Sequence, residues 1–218
     1  MRALAERGVA SVAYTRAGLS GSDAGQGAPT PDAHVADMVR LLDALGQDGP
    51  VVLVGHSMAG FRLHRFAGLH PDRVRHLVLV DAMVPGALPR AAIAGFAAVL
   101  RPVERTLPAL CRAGDAYPNA MRLSGQERAD KLTSVYSAAH LRATRLEVAE
   151  VARARVGTDH GVPMTLMPAG RVARGSAALA ERTGARLIDM SRWGHASVLG
   201  PEGAARIADA AAAALRTG

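Results

Sequence analysis

At 218 residues, half of them apolar, the chain is long enough for one substantial hydrophobic core, and no apolar run reaches the length of a membrane span. The net charge of +7 comes from 25 Arg and one Lys without a basic run, and aromatic residues make up only 3%, so the composition favours a solvated arginine surface over nucleic-acid binding. A single cysteine, Cys111, excludes an internal disulfide framework. The first residues lack the apolar core of a signal peptide, which predicts a cytoplasmic protein.

The first elements are expected to be a helix end, a strand and a second helix. Ala3 to Gly8 is predicted to be the end of a helix closed by glycine, and Val9 to Thr15 is apolar and β-branched enough for a strand. A glycine-rich loop follows. Asp32 is then expected to cap a helix that runs to about Leu45 with its apolar residues on one face.

The stretch from Pro50 to Gly60, PVVLVGHSMAG, carries the strongest signal. Val51 to Val54 is a short β-branched run, typical of a strand buried on both faces of a parallel sheet. A tight turn with Ser57 at its apex follows, and then a helical pattern. Strand, turn and helix in this order are the context of a nucleophile elbow, which needs small residues two positions either side of the serine; Gly55 and Ala59 meet that need. The alternative is an unrelated serine in a strand-to-helix loop.

The rest of the chain continues the alternation of strands and helices. His76 to Asp81 predicts the next strand, and two more are predicted at 162–169 and 185–190, before a final helix from about Glu202 to Leu215. Residues 83–157 have helical patterns without β periodicity. We therefore predict a single α/β domain over residues 1–218, a doubly wound, mostly parallel sheet with a helical cap insertion at about 83–157 above the carboxyl ends of the strands.

Four segments, taken together, resemble the α/β-hydrolase fold superfamily. They are Tyr14 to Ser22, the turn around Ser57, Leu77 to Ala82 and the pair Gly194-His195, and they occur in family order. The resemblance implies a serine hydrolase that forms an acyl-enzyme on Ser57, with the Met58 backbone N–H as an oxyanion donor. A lyase or cofactor-free haloperoxidase on the same scaffold, or a non-catalytic member, are the alternatives.

His195 is the predicted general base, because it follows a strand by a short loop and so lies at the same sheet edge as Ser57. The alternative is a surface histidine. In many relatives the acid follows the strand after the cap, where this chain has no carboxylate. Asp81 and Asp189 both end strands at the correct edge. Asp81 is the preferred acid; the alternatives are Asp189 or no functional acid, with Asp81 then capping a helix or bracing a loop.

Relatives have about three strands and an H-G oxyanion segment before the residues that resemble Ala3 to Thr15, so the chain is expected to be N-terminally shortened. We therefore predict five strands, with Val9 to Thr15 beside Val51 to Val54 or left as a poorly paired edge. We also predict weak catalysis, because the sequence offers no source for a second oxyanion donor.

The expected partner is a small-molecule substrate, without nucleic acid or membrane, and the oligomeric state stays open. No cofactor or metal ion is predicted. Apolar residues of the cap indicate a small or medium hydrophobic ester; they are Phe96, Leu100, Leu107, Leu110 and Met121.

Overall fold

The computed structural model describes residues 1–19, 22, 23, 25, 27–110, 121–135, 137–170 and 173–216. Its strands are β1 (Val51–His56), β2 (Val74–Val80), β3 (Met164–Met167) and β4 (Arg186–Leu187). The helices are α1 (Arg2–Ala5), α2 (Pro31–Ala44), α3 (Ala59–Leu69), α4 (Arg90–Leu110), α5 (Gly125–Val135), α6 (Ala138–Arg153), α7 (Ala173–Thr183) and α8 (Pro201–Arg216). Cys111 and the loop predicted at 113–119 lie outside the described residues.

The four strands form one parallel sheet in the order β1-β2-β3-β4. Strands β2 and β3 are the most buried, and residues Leu77 to Val80 of β2 are almost inaccessible to solvent. An uninterrupted apolar run suits this position because both faces of β2 are covered by helices. The sheet and its helices confirm the predicted doubly wound α/β class.

The predicted strand from Val9 to Thr15 is wrong, and so is the five-stranded sheet. The segment pairs with no described strand, and Val12 is 62% exposed. Local bonds hold its two ends instead: the Val9 N–H donates to the Leu4 carbonyl, and the Thr15 carbonyl accepts from the Ser22 hydroxyl. Strand propensity alone does not form a strand without a partner, because the stabilisation comes from cross-strand pairing and burial.

Since 9–15 does not pair with it, β1 is an edge strand of the described sheet. Val51 to Val54 are consequently not buried on both faces as predicted, and Val54 is 42% exposed. The prediction was correct for the position of the strand and wrong for its burial.

Two hydrophobic cores lie on opposite faces of the sheet. One joins the sheet to α2, α3 and α7 through residues such as Val35, Phe66 and Leu179. The other joins it to α1 and α8, with Ala210 and Ala211 against Val78 and Val80. This division places helices on both sides of the parallel strands, as the alternation of elements predicted.

The helical insertion has a third core of its own. Helices α4 and α6 pack together and against Phe61 of α3, with Ile93, Ala97, Val148 and Val151 between them. Leu100 joins this cluster and Met121 is buried, but Phe96 is 56% exposed and faces away from it. Of the apolar cap residues that indicated a hydrophobic ester, Leu100 and Met121 are therefore at least partly buried and Phe96 is exposed.

The cap of α2 also differs from the prediction. Thr30 accepts the Ala33 N–H at 3.1 Å through its side-chain oxygen, and Pro31 is the first helical residue. Asp32 lies in the first turn, where its carboxylate accepts a hydrogen bond of 2.9 Å from Arg65 of α3. Because the Asp32 carboxylate bonds to Arg65 of α3, it does not cap its own helix.

Candidate active site

Ser57 lies at the apex of the turn from β1 to α3 with a positive φ of 58°, a conformation that is rare for a residue with a side chain. Its carbonyl accepts from the Met83 N–H at 2.9 Å, which fixes the turn against the loop after β2. A Cβ added at Gly55 would come within 2.9 Å of the Ala59 Cβ, and one at Gly60 within 2.3 Å of the Met83 carbonyl oxygen. Small residues are therefore required on both sides of the serine.

His195 connects Ser57 to Asp81. Its Nε2 lies 3.1 Å from the Ser57 Oγ, and its Nδ1 lies 2.6 Å from the Asp81 Oδ2. An ionised carboxylate can only accept hydrogen bonds, so Nδ1 carries the proton and Nε2 of the neutral ring is free to accept the serine hydroxyl. The structure thus brings the three predicted side chains into one chain of hydrogen bonds.

Asp81 is held in place on both carboxylate oxygens. It directly follows β2 with φ of 40°, its side chain is 2% exposed, and its Oδ1 accepts the Ala169 N–H at 3.0 Å. Burial raises the pKa of Asp81, but the hydrogen bonds from His195 and Ala169 outweigh it, so the net pKa is lowered. The group therefore stays ionised beside the histidine at neutral pH.

The alternative acid, Asp189, does not reach the histidine. Its carboxylate accepts hydrogen bonds from the backbone N–H and the hydroxyl of Ser191, at 2.8 and 3.0 Å, and it is exposed. These bonds lower its pKa. Asp189 shapes the turn after β4 instead of contacting His195.

His56 is a contact of the site that the sequence did not indicate. Its Nε2 lies 2.9 Å from the His195 carbonyl oxygen, and the two rings have centroids 4.4 Å apart. A carbonyl can only accept, so His56 Nε2 is the donor. Burial first, and repulsion by His195 second, lower the pKa of His56 to about 4. Its position next to Ser57 was the available signal, but nothing in the sequence shows which way a β1 side chain of this kind faces.

His56, Asp81 and His195 are also the one group of described residues with three potential metal-ligand atoms close together, within 4.8 Å. The hydrogen bonds to the His195 carbonyl and between His195 and Asp81 already account for this clustering. The arrangement fits proton transfer better than ion binding, because the Nδ1 of His195 is protonated and directed at the carboxylate.

The Met58 N–H, the predicted oxyanion donor, lies just before the first turn of α3 and meets no acceptor among the residues that the structure describes. A helix N-terminus carries partial positive charge, so a developing negative charge beside Ser57 is favoured there.

A buried charged cluster links the cap to α3, and no local sequence pattern indicated it. Glu147 of α6 is 2% exposed and accepts two bonds of 2.9 Å from Arg16 and one of 3.3 Å from Arg62 of α3. His34 Nε2 lies 3.2 Å from the same carboxylate. Burial raises the pKa of Glu147, but His34, Arg62 and Arg16 lower it to about 2.

None of the described helices combines the length and the apolar composition needed to cross a bilayer.

A doubly wound parallel sheet, a strained serine between strand and helix, and a helical insertion after β2 together define the α/β-hydrolase class of folds. The sequence model of the α/β hydrolase fold family matches residues 1–110, and the chain belongs to this family. The predicted resemblance is thereby confirmed.

Curated relatives match shorter parts of the chain. The lipase LipV of Mycobacterium tuberculosis is 49% identical over 55 residues, which are 25% of this chain and 21% of the lipase. The mouse sn-1-specific diacylglycerol lipase ABHD11 is 41% identical over 73 residues, or 34% of this chain and 24% of that enzyme. The matched segments therefore span about a quarter or less of these relatives.

Solved structures match over much more of the chain. A thermophilic esterase from Thermogutta terrifontis superposes with a TM-score of 0.70 at 22% identity, covering 92% of this chain and 77% of the esterase. A bromoperoxidase from Bacillus anthracis gives 0.67 at 20% identity, covering 99% and 84%. At these identities the similarity establishes the fold.

Proposed function

We propose that the protein is a serine hydrolase in which Ser57, His195 and Asp81 form the catalytic triad. The observation that carries the proposal is the chain of hydrogen bonds from the Ser57 hydroxyl through both nitrogens of His195 to the buried Asp81. A hydroxyl is a weak nucleophile until a neighbouring base takes its proton, and the proposed base, Nε2 of His195, lies 3.1 Å from the Ser57 hydroxyl oxygen.

The reaction follows from the geometry. The Ser57 Oγ attacks an acyl carbonyl while its proton moves to His195 Nε2, and the imidazolium that forms is stabilised by the Asp81 carboxylate. The Met58 N–H is placed to donate to the oxyanion. His195 then gives the proton to the alcohol oxygen as the ester C–O bond breaks, which leaves the acyl group on Ser57. A water molecule, deprotonated by the same nitrogen, attacks the acyl carbon, and His195 returns that proton to the Ser57 Oγ as the acid is released.

His56 has a positioning role in this proposal. Its bond to the His195 carbonyl holds the loop that carries the base, and its ring limits the rotation of the imidazole on one face. With a pKa of about 4 it is neutral at pH 7, so it adds no charge that would oppose formation of the imidazolium.

The proposed substrate is an apolar ester of small or medium size. The relatives that are named lipases and the apolar character of the cap around Leu100 and Met121 support this class. A hydrophobic cap favours burial of an acyl chain through the area that it removes from water.

The test is to incubate the protein with a fluorophosphonate and to map the adduct by mass spectrometry, with Ser57→Ala as the matched control. We expect one adduct, on Ser57, and none in the variant. Hydrolysis of p-nitrophenyl esters from acetate to octanoate then measures chain-length preference. A folded sample that does not label is a non-catalytic member of the family, and one that labels without hydrolysing esters does different chemistry on the same scaffold.

A further inference from the structure

A cleft of about 410 Å³ lies where the cap meets α3, and neither Ser57, Asp81 nor His195 lines it. Its apolar lining comes from α3, from the start of α4 and from the end of α6, through Phe61, Leu88, Ile93, Val151 and Val156. The volume lies within the usual range for small-molecule sites, about 300–1,000 Å³.

The charged groups of the cleft are all of one sign. Arg90 and Arg155 line it, and no carboxylate is found among the described residues of its lining. Among the residues that the structure describes, neither guanidinium has an ion-pair partner, whereas the nearby Glu150 is already bonded to Arg153 at 2.6 Å. An apolar floor with two unpaired arginines is complementary to an anion that has a hydrocarbon portion.

The position of Arg90 strengthens this interpretation. It is the first residue of α4, a helix of 21 residues, and the N-terminal end of a helix already carries partial positive charge. An arginine there is electrostatically unfavourable for the helix itself, so a bound anion would offset both charges. Arg155 follows the carboxyl end of α6, where a cation is favourable in any case. Arg90 should therefore contribute more to anion binding than Arg155.

We propose that this cleft is a second binding site, separate from Ser57, for an aliphatic monocarboxylate. The carboxylate lies between Arg90 and Arg155, and the hydrocarbon chain lies on Phe61, Ile93 and Val151. A hydrocarbon chain is part of the ligand because the lining between the two arginines is apolar, and a carboxylate is an anion that both guanidinium groups can bind. The proposal does not depend on Ser57 being a nucleophile.

The test uses the full chain with Ser57→Ala, so that turnover cannot change the ligand, and isothermal titration with octanoate and with 1-octanol. We expect octanoate to bind, the uncharged alcohol to bind at least tenfold more weakly, and decanoate to bind more tightly by about fourfold per added methylene. Arg90→Gln should weaken octanoate binding by about tenfold and Arg155→Gln by less.

Arg142→Gln is the matched control, because Arg142 is an exposed arginine of α6 that does not line the cleft, and the variant loses the same net charge. Circular dichroism checks that each variant is folded. Equal affinity for acid and alcohol, equal loss in the Arg90 and Arg142 variants, or no octanoate binding at millimolar concentration would each overturn the proposal. If fluorophosphonate labelling of Ser57 fails while octanoate binding persists, the proposed enzyme activity is wrong, but the proposed binding site in the cleft stands.

Discussion

Asp81 is the acidic residue, among those that the structure describes, whose carboxylate bonds to His195, and its other oxygen accepts the Ala169 N–H. Because Asp81 fixes the tautomer of His195, Asp81→Asn should lower kcat by about four orders of magnitude while leaving the fold unchanged. Asp189→Asn is the matched control, since Asp189 bonds only to Ser191, and it should stay within a few-fold of the parent. Ester hydrolysis with circular dichroism measures both. The reverse ranking would transfer the role to Asp189.

Substitutions of His56 can separate its two contacts with His195, the hydrogen bond to the carbonyl and the contact between the rings. His56→Phe keeps a ring against His195 but removes the donor to its carbonyl, so kcat should fall about tenfold with KM little changed. His56→Gln places an amide nitrogen near the position of Nε2 and should recover most of that loss. Steady-state kinetics over a range of pH provide the measurement. Equal losses in both variants, or a change in KM alone, would show that the hydrogen bond does not position the base.

At the scale of the elements, the carboxylate of Glu147 connects α6 to α3 and to the loop that contains Arg16. Glu147→Gln leaves two guanidinium groups without their carboxylate, and we expect the free energy of unfolding to fall by about 3–5 kcal/mol. Glu150→Gln is the matched control on the same helix, because its partner Arg153 is exposed, and it should change stability by less than about 1 kcal/mol. Urea titration measures both values.

The parent protein and Glu147→Gln also give a test by pH. The folded pKa of Glu147 is about 2, below its ordinary value of 4.5, so its contribution is complete above about pH 4.5 and is lost as the pH falls toward 2. The difference in stability between the parent and Glu147→Gln should therefore shrink over that interval. A difference that stays constant with pH would show that the carboxylate is not ionised in the folded protein.

The parts of the site that lie at the carboxyl ends of strands could be predicted from the sequence. Ser57, Asp81 and His195 could be placed together because the carboxyl ends of parallel strands meet at one sheet edge. The contact of His56 with His195 could not, since it depends on how a loop folds over β1. The cluster around Glu147 could not either, because its members lie up to 131 residues apart and ion pairing has no local pattern.

The segment Val9 to Thr15 shows the same limit for an element. Its composition is that of a strand, yet local bonds at both ends hold it away from β1. Strand formation depends on a partner that propensity does not describe.

At the scale of the whole molecule, burial disfavours protonation of two histidines, the buried His64 and the half-buried His56. His64 is 1% exposed and its Nδ1 lies 3.0 Å from Nε2 of His160, whose Nδ1 accepts the Val162 N–H. Burial, with a smaller contribution from His160, lowers the pKa of His64 to about 3, and that of His56 is about 4. Both folded values lie below the ordinary value of 6.5, so the associated stability is complete above about pH 6.5 and is lost as the pH falls through 4 and 3.

We therefore expect the free energy of unfolding to decrease steadily from pH 6.5 to pH 4, as measured by urea titration at several pH values. His64→Gln should reduce the slope, because a glutamine does not titrate. A pH-independent stability over this interval would contradict the assignment of neutral histidines.

The edge position of β1 has a consequence for hydrogen exchange at the nucleophile. The Ser57 N–H donates to the Val80 carbonyl, so by the alternation of a strand the amides of Gly55 and Leu53 also face β2, while those of Val52, Val54 and His56 face outward. Outward amides that have no strand partner among the described residues exchange quickly with solvent deuterium, and those of β2 exchange slowly. Along β1, amides that exchange slowly would then alternate with amides that exchange quickly. If another strand paired with the outward edge of β1, the outward amides would exchange slowly as well.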